Sequence, residues 1–81
     1  MRIKVKLFAI AKEIAGGDET VLEVPNEISC EEVLLRLRTK IPALFSVLEL
    51  CLVVINGRYV DKTTDVSEGD EVAILPPVSG G

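Results

Sequence analysis

Histidine is absent from this 81-residue chain, so the usual nitrogen ligand for a protein-bound metal is missing. Cysteine is scarce: Cys30 and Cys51 stand far apart and form no Cys-x-x-Cys pair. Two buried, reduced thiols acting as small apolar side chains are the expected state, because nothing in the chain signals an oxidising compartment. Clusters of Lys and Arg are also lacking. Nine basic residues face 13 acidic ones, for a net charge of -4, which argues against nucleic acid as a partner. The acidity leans toward partners with basic surfaces, although charge this evenly spread also serves solubility. No apolar run reaches membrane-spanning length, so no membrane partner is expected. Residues 7–11 follow Arg2, Lys4 and Lys6 and loosely mimic a secretory leader, but Lys12-Glu13 interrupt them at once. A cytoplasmic placement is the expectation. There are no internal repeats and no low-complexity linkers.

What remains is a hydrophobic fraction of 48% and a charged fraction of 27%, the balance of a single globular domain with a thin but sufficient core. Residues 2–8 begin in strict alternation. Ile3, Val5 and Leu7 face one way and Arg2, Lys4 and Lys6 the other, which predicts a half-buried strand. Residues 9–15 read as a short helical turn, with Ile10 and Ile14 on one face and Gly16-Gly17 ending it. Residues 19–24 form a second strand, antiparallel to the first. Ser29-Cys30-Glu31-Glu32 matches a capping box at the start of the main helix, whose apolar face carries Val33, Leu34, Leu37 and Ile41. Pro42 blocks its continuation. Residues 43–50 fit either a short helix or an irregular connection. Residues 51–55 are an uninterrupted apolar strand, Asn56-Gly57 a hairpin turn, and residues 58–60 a short return strand. A polar stretch over residues 61–70 leads to the last strand, residues 71–75, which Pro76 ends.

One helix can cover only one face of one small sheet. The expected architecture is α+β, with one main helix on a mixed four- to five-stranded sheet and the first and last strands parallel at its centre. This is the β-grasp, or ubiquitin-like, arrangement. Apolar side chains of the opposite parity should then meet solvent: Phe8, Tyr59, Leu75, and either Leu52 and Val54 or the alternate set in that strand. Together they predict an apolar patch on the open sheet face, a feature that marks interaction surfaces.

Beyond a domain spanning residues 1–75 lies a tail of residues 76–81, Pro76-Pro77-Val78-Ser79-Gly80-Gly81. It ends in an α-carboxylate on a residue without a side chain, and glycine fits backbone where nothing else can. Six extended residues reach at most about 20 Å, enough to enter another protein's pocket while the globule stays outside. The prolines favour an extended path and lower the entropy lost on insertion. The carboxylate has an ordinary pKa of about 3.3–3.7, so it is ionised and able to attack a phosphate. The tail carries no acid, base or metal ligand, so catalytic groups must come from partners.

The segment Val5-Lys6-Leu7-Phe8-Ala9-Ile10-Ala11-Lys12-Glu13-Ile14-Ala15-Gly16 resembles the opening of the molybdopterin synthase small subunits, the sulfur carriers of molybdenum-cofactor synthesis. The segment from Glu68-Gly69-Asp70-Glu71-Val72 to Gly80-Gly81 is similar to their ending. The resemblance implies that Gly81 is the working group. A partner akin to ubiquitin-activating enzymes adenylates it with ATP, and a sulfur donor converts it to a thiocarboxylate. The loaded tail then enters the large synthase subunit, in a heterotetramer, and gives its sulfur to a cyclic pyranopterin phosphate. It also implies that Pro76, Pro77, Val78, Ser79 and Gly80, with Leu75, Phe8 and Tyr59, contact partners. No metal or cofactor is expected on the chain itself, and ATP is used by the activating partner. Alternatives are a carrier for thiamine or tRNA thiolation, a modifier joined through Gly81 to lysines, and a passive binding module. The helical insertion after the first strand counts against a thiamine-type carrier. A plant-type iron–sulfur protein of this fold needs four cysteines and is excluded.

Overall fold

The computed structural model describes residues 1–77. Strand β1 (Arg2–Leu7) leads into helix α1 (Ala9–Ala15) and strand β2 (Glu19–Glu23). A two-residue strand, β3 (Ile28–Ser29), precedes the main helix α2 (Cys30–Lys40). A 3-10 turn (Pro42–Leu44) and a one-turn helix α3 (Phe45–Leu48) follow. The chain finishes through β4 (Leu52–Ile55), β5 (Arg58–Val60), β6 (Asp65–Val66) and β7 (Val72–Leu75).

Five strands make one mixed sheet in the order β2-β1-β7-β4-β5. β1 and β7 run parallel at its centre, and every other neighbouring pair is antiparallel. The expected β-grasp architecture is borne out. Val5, Leu7, Val72 and Ile74 of the two central strands are almost fully buried, together with Val33 and Leu37 of α2. Each such side chain stabilises the fold by about 1.5–3 kcal/mol relative to exposure.

Helix α2 starts where its sequence predicts, but only half of the expected capping box forms. Ser29 Oγ accepts a hydrogen bond from the Glu32 N–H at 3.3 Å. The Glu32 carboxylate makes no return bond among the described residues. Instead the Cys30 and Glu31 N–H groups donate to the Thr64 and Lys62 carbonyls, both at 2.9 Å. This partnership arises because β3 pairs with β6, a small second sheet not expected from the sequence. Val66, fully buried, anchors it within the otherwise polar stretch of residues 61–70.

Two details differ from expectation around α1. Ile10 does not share a buried face with Ile14: it is exposed, and Ala11 is the side chain that α1 buries. Ile14 packs against the core only in part. Phe8 lies outside β1 and serves as the N-cap residue of α1. The choice left open for residues 43–50 falls to helix as far as Leu48, with Leu44 and Leu48 seated in the core and a turn at Glu49 and Leu50. The hairpin at Asn56-Gly57 forms as expected, with φ of 52° and 83° at its two residues.

Candidate functional site

The strand registers place the wrong-parity side chains side by side. Lys6 of β1 pairs with Ala73 of β7, Ala73 with Val54 of β4, and Val54 with Tyr59 of β5. In the next row, Leu75 pairs with Leu52. Their sequence neighbours Leu7, Val53, Ile55, Val72 and Ile74 are buried under α2, so this set points to the other face of the sheet. That settles the open choice in β4: Leu52 and Val54 face outward. Phe8 follows Leu7 as Leu75 follows Ile74, and those two residues are paired, so Phe8 continues the same face beside Leu75.

Tyr59 is 70% exposed, Leu52 54% and Phe8 44%, whereas Leu75 and Val54 are half-buried. Ala73, at the middle of the row, is nearly covered by its neighbours. The sequence pattern did not single it out, although its parity matches Leu75. A small residue there makes a shallow seat flanked by larger apolar side chains. The turn into α1 helps to present Phe8. Ala9 takes a φ of 51°, a left-handed conformation that costs a residue with a Cβ about 1–2 kcal/mol.

The other half of this face is charged. Arg2 pairs with Glu23 at 2.9 Å, Lys4 with Glu19 at 3.9 Å and Lys6 with Glu71 at 3.2 Å. Exposed pairs of this kind add less than about 1 kcal/mol each, so their main effect is to draw a polar border beside the apolar patch. The border runs along β1 and β2, and the patch covers β7, β4 and β5. A partner that prefers apolar contact is thereby directed to the half from which the C-terminal segment leaves. Pro76 is half-buried and Pro77 exposed at that exit. Val78, Ser79, Gly80 and Gly81, the remaining expected site residues, lie outside the described residues.

Neither thiol belongs to this face. Cys30 and Cys51 are free and buried. Burial pushes both thiols up in pKa; at Cys30 the charges of Asp61, Asp65 and Asp70 push in the same direction. Both are therefore protonated and unreactive at neutral pH. The Cys51 Sγ–H donates to the Val47 carbonyl at 3.0 Å, which ties β4 to α3. No group of three or more metal-ligating side chains occurs among the described residues. No helix among them is long and apolar enough to cross a membrane. The open face is thus an exposed apolar patch with a charged border.

A main helix packed on one face of a mixed five-stranded sheet, with its first and last strands parallel at the centre, defines a ubiquitin-like β-grasp protein. Within that class, the chain belongs to the ThiS family, whose model matches residues 5–81. It is 42% identical over 84 aligned residues to the molybdopterin synthase sulfur carrier subunit of Chlamydomonas reinhardtii, covering all of both chains. Among solved structures it superposes on SAMP1 of Haloferax volcanii with a TM-score of 0.89, at 30% identity over all of both chains. It also matches a chain in the complex of subunits 1 and 2 of the molybdopterin-converting factor of Helicobacter pylori. That match has a TM-score of 0.66 and 25% identity, covering all of both chains.

Proposed function

We propose that this chain is the sulfur carrier subunit of molybdopterin synthase and that the Gly81 carboxylate carries the sulfur. The observation that carries this reading is its 42% identity to the algal sulfur carrier subunit, in an alignment that spans all of both chains. The carboxylate attacks the α-phosphate of ATP on an activating partner, forming an acyl-adenylate and releasing pyrophosphate. A sulfur donor then displaces AMP and leaves a thiocarboxylate. The loaded chain docks through Phe8, Leu75 and Tyr59, with Leu52, Val54 and Ala73 completing the patch. Pro76, Pro77, Val78, Ser79 and Gly80 form the arm that threads into the partner's pocket. There the sulfur bonds to the cyclic pyranopterin monophosphate, and water returns the acyl group to carboxylate. The chain is a cosubstrate and subunit: catalytic side chains come from the large subunit, ATP is used by the adenylyltransferase, and the site is cytoplasmic. The Helicobacter pylori relative occurs in a two-subunit complex, which favours this partnership.

Deleting Gly81, or adding one residue after it, is expected to abolish molybdopterin formation while the circular dichroism spectrum and melting transition stay unchanged. Full product formation by either variant, assayed with the large subunit, would refute the tail mechanism. A second reading has its own support, because the Haloferax volcanii neighbour is a small archaeal modifier protein. In that reading the same adenylated Gly81 is transferred to lysine amines, and the product is an isopeptide rather than a thiocarboxylate.

A further inference from the structure

A second apolar surface lies on the helical side of the molecule. Helices α2 and α3 enclose a groove of about 360 Å³, floored by Leu34 and Leu48 and walled by Leu35 and Phe45. Leu34 and Leu48 are core side chains, whereas Leu35 and Phe45 are each half exposed. The Arg38 guanidinium lies over the Phe45 ring, 5.0 Å from its centre, a cation–π contact. The rim is acidic: Glu31, Glu32 and Glu49 line it, and Arg38 is its one cation. None of these four charged groups has an ion-pair partner within 4.0 Å among the described residues.

We infer that this groove is a second docking site, for a short amphipathic helix of a partner protein with apolar side chains on one face and Lys or Arg at its flanks. The shape is that of helix-in-groove recognition. The charge balance selects the sign of the partner, since three carboxylates against one engaged guanidinium attract cations. The same imbalance disfavours a second copy of this chain, which would bring two acidic rims together. None of the groove's lining residues belongs to the open-face patch of Phe8, Leu52, Tyr59 and Leu75. An occupant there leaves the open-face patch free for a different partner. This inference goes beyond the sulfur-carrier reading and stands without it.

The test is an amide-resolved NMR titration of the full chain with two synthetic helical peptides. One carries leucines on one face and flanking lysines; the other has those lysines replaced by glutamates. The lysine peptide should shift amides around Leu35, Arg38 and Glu49 and leave those of Tyr59 and Leu75 in place. Leu35→Lys should weaken its binding about tenfold or more. The double change Glu32→Gln with Glu49→Gln should weaken it about fivefold, with unchanged melting transitions. Equal binding of both peptides, shifts confined to the open sheet face, or shifts that follow protein concentration alone would each overturn the inference.

Discussion

At the scale of single residues, the division of labour follows exposure. Leu7 and Ile74 are spent on the core, while Phe8 and Leu75, one position further on, are turned to the opposite face. Phe8 is 44% exposed in the isolated chain, so Phe8→Asp removes little core packing. The same change places a carboxylate on the proposed docking surface. We expect it to raise the Kd for the large subunit by about 30-fold or more, the level of an interface hot spot. The melting transition should move only slightly. Calorimetry showing an unchanged Kd would remove Phe8 from the interface. These positions were legible in the sequence because alternation assigns parity residue by residue. Ala73 was not, since parity marks direction and a small side chain gives no separate signal. The Leu52 and Val54 choice stayed open for a related reason: all five residues from 51 to 55 are apolar, so alternation has nothing to report.

Between elements, the joints carry more than the strands. Asn56 holds the β4–β5 turn in a left-handed conformation and also clasps the start of β7. Its Nδ2 donates to Asp70 Oδ1 at 3.0 Å, and its Oδ1 accepts from the Glu71 N–H at 2.9 Å. Asn56→Ala should cost about 1–3 kcal/mol, from two lost hydrogen bonds and a strained φ. Asn56→Gly, which keeps the turn, should cost visibly less; equal losses in urea unfolding would show that the side-chain clasp alone matters. The start of α2 depends on a second joint. Asp61 Oδ1 accepts from the Thr63 hydroxyl at 2.6 Å and from the Thr63 N–H at 2.8 Å. These bonds, the hydroxyl's first, hold the Asp61 carboxyl below its usual pKa. A lowered folded-state value means that the contribution is complete above the unfolded pKa, about 3.9, and is lost as pH falls through the folded value. Asp61→Asn should therefore be less stable than the parent at pH 7, with the gap closing in acid. A gap that persists unchanged at pH 2 would contradict this. The helix and hairpins were legible from caps, turns and periodicity. The β3–β6 pair was not, because two-residue strands carry too little pattern and Val66 is a lone apolar residue in polar surroundings.

The whole molecule presents two dissimilar faces of its sheet, one buried under α2 and one left open at the root of the C-terminal segment. The fold followed from counting: a single main helix covers a single face, and strands of opposite parity must then expose apolar side chains. Residues 43–50 resisted reading because Pro42 interrupts the helical period and the segment that follows spans barely one turn. Their helical form builds the groove of Leu35, Arg38 and Phe45, which therefore had no sequence signature as a unit. The central claim concerns what the open face serves, namely delivery of sulfur from the end of the chain. The most direct measurement is intact mass spectrometry of the chain after incubation with ATP, a sulfur donor and the activating enzyme. Fragmentation should place one sulfur-for-oxygen exchange at Gly81, reversed on adding the large subunit and the pyranopterin substrate. A chain that remains a carboxylate while the enzyme consumes ATP, or that is recovered only as lysine-linked conjugates, would contradict the account.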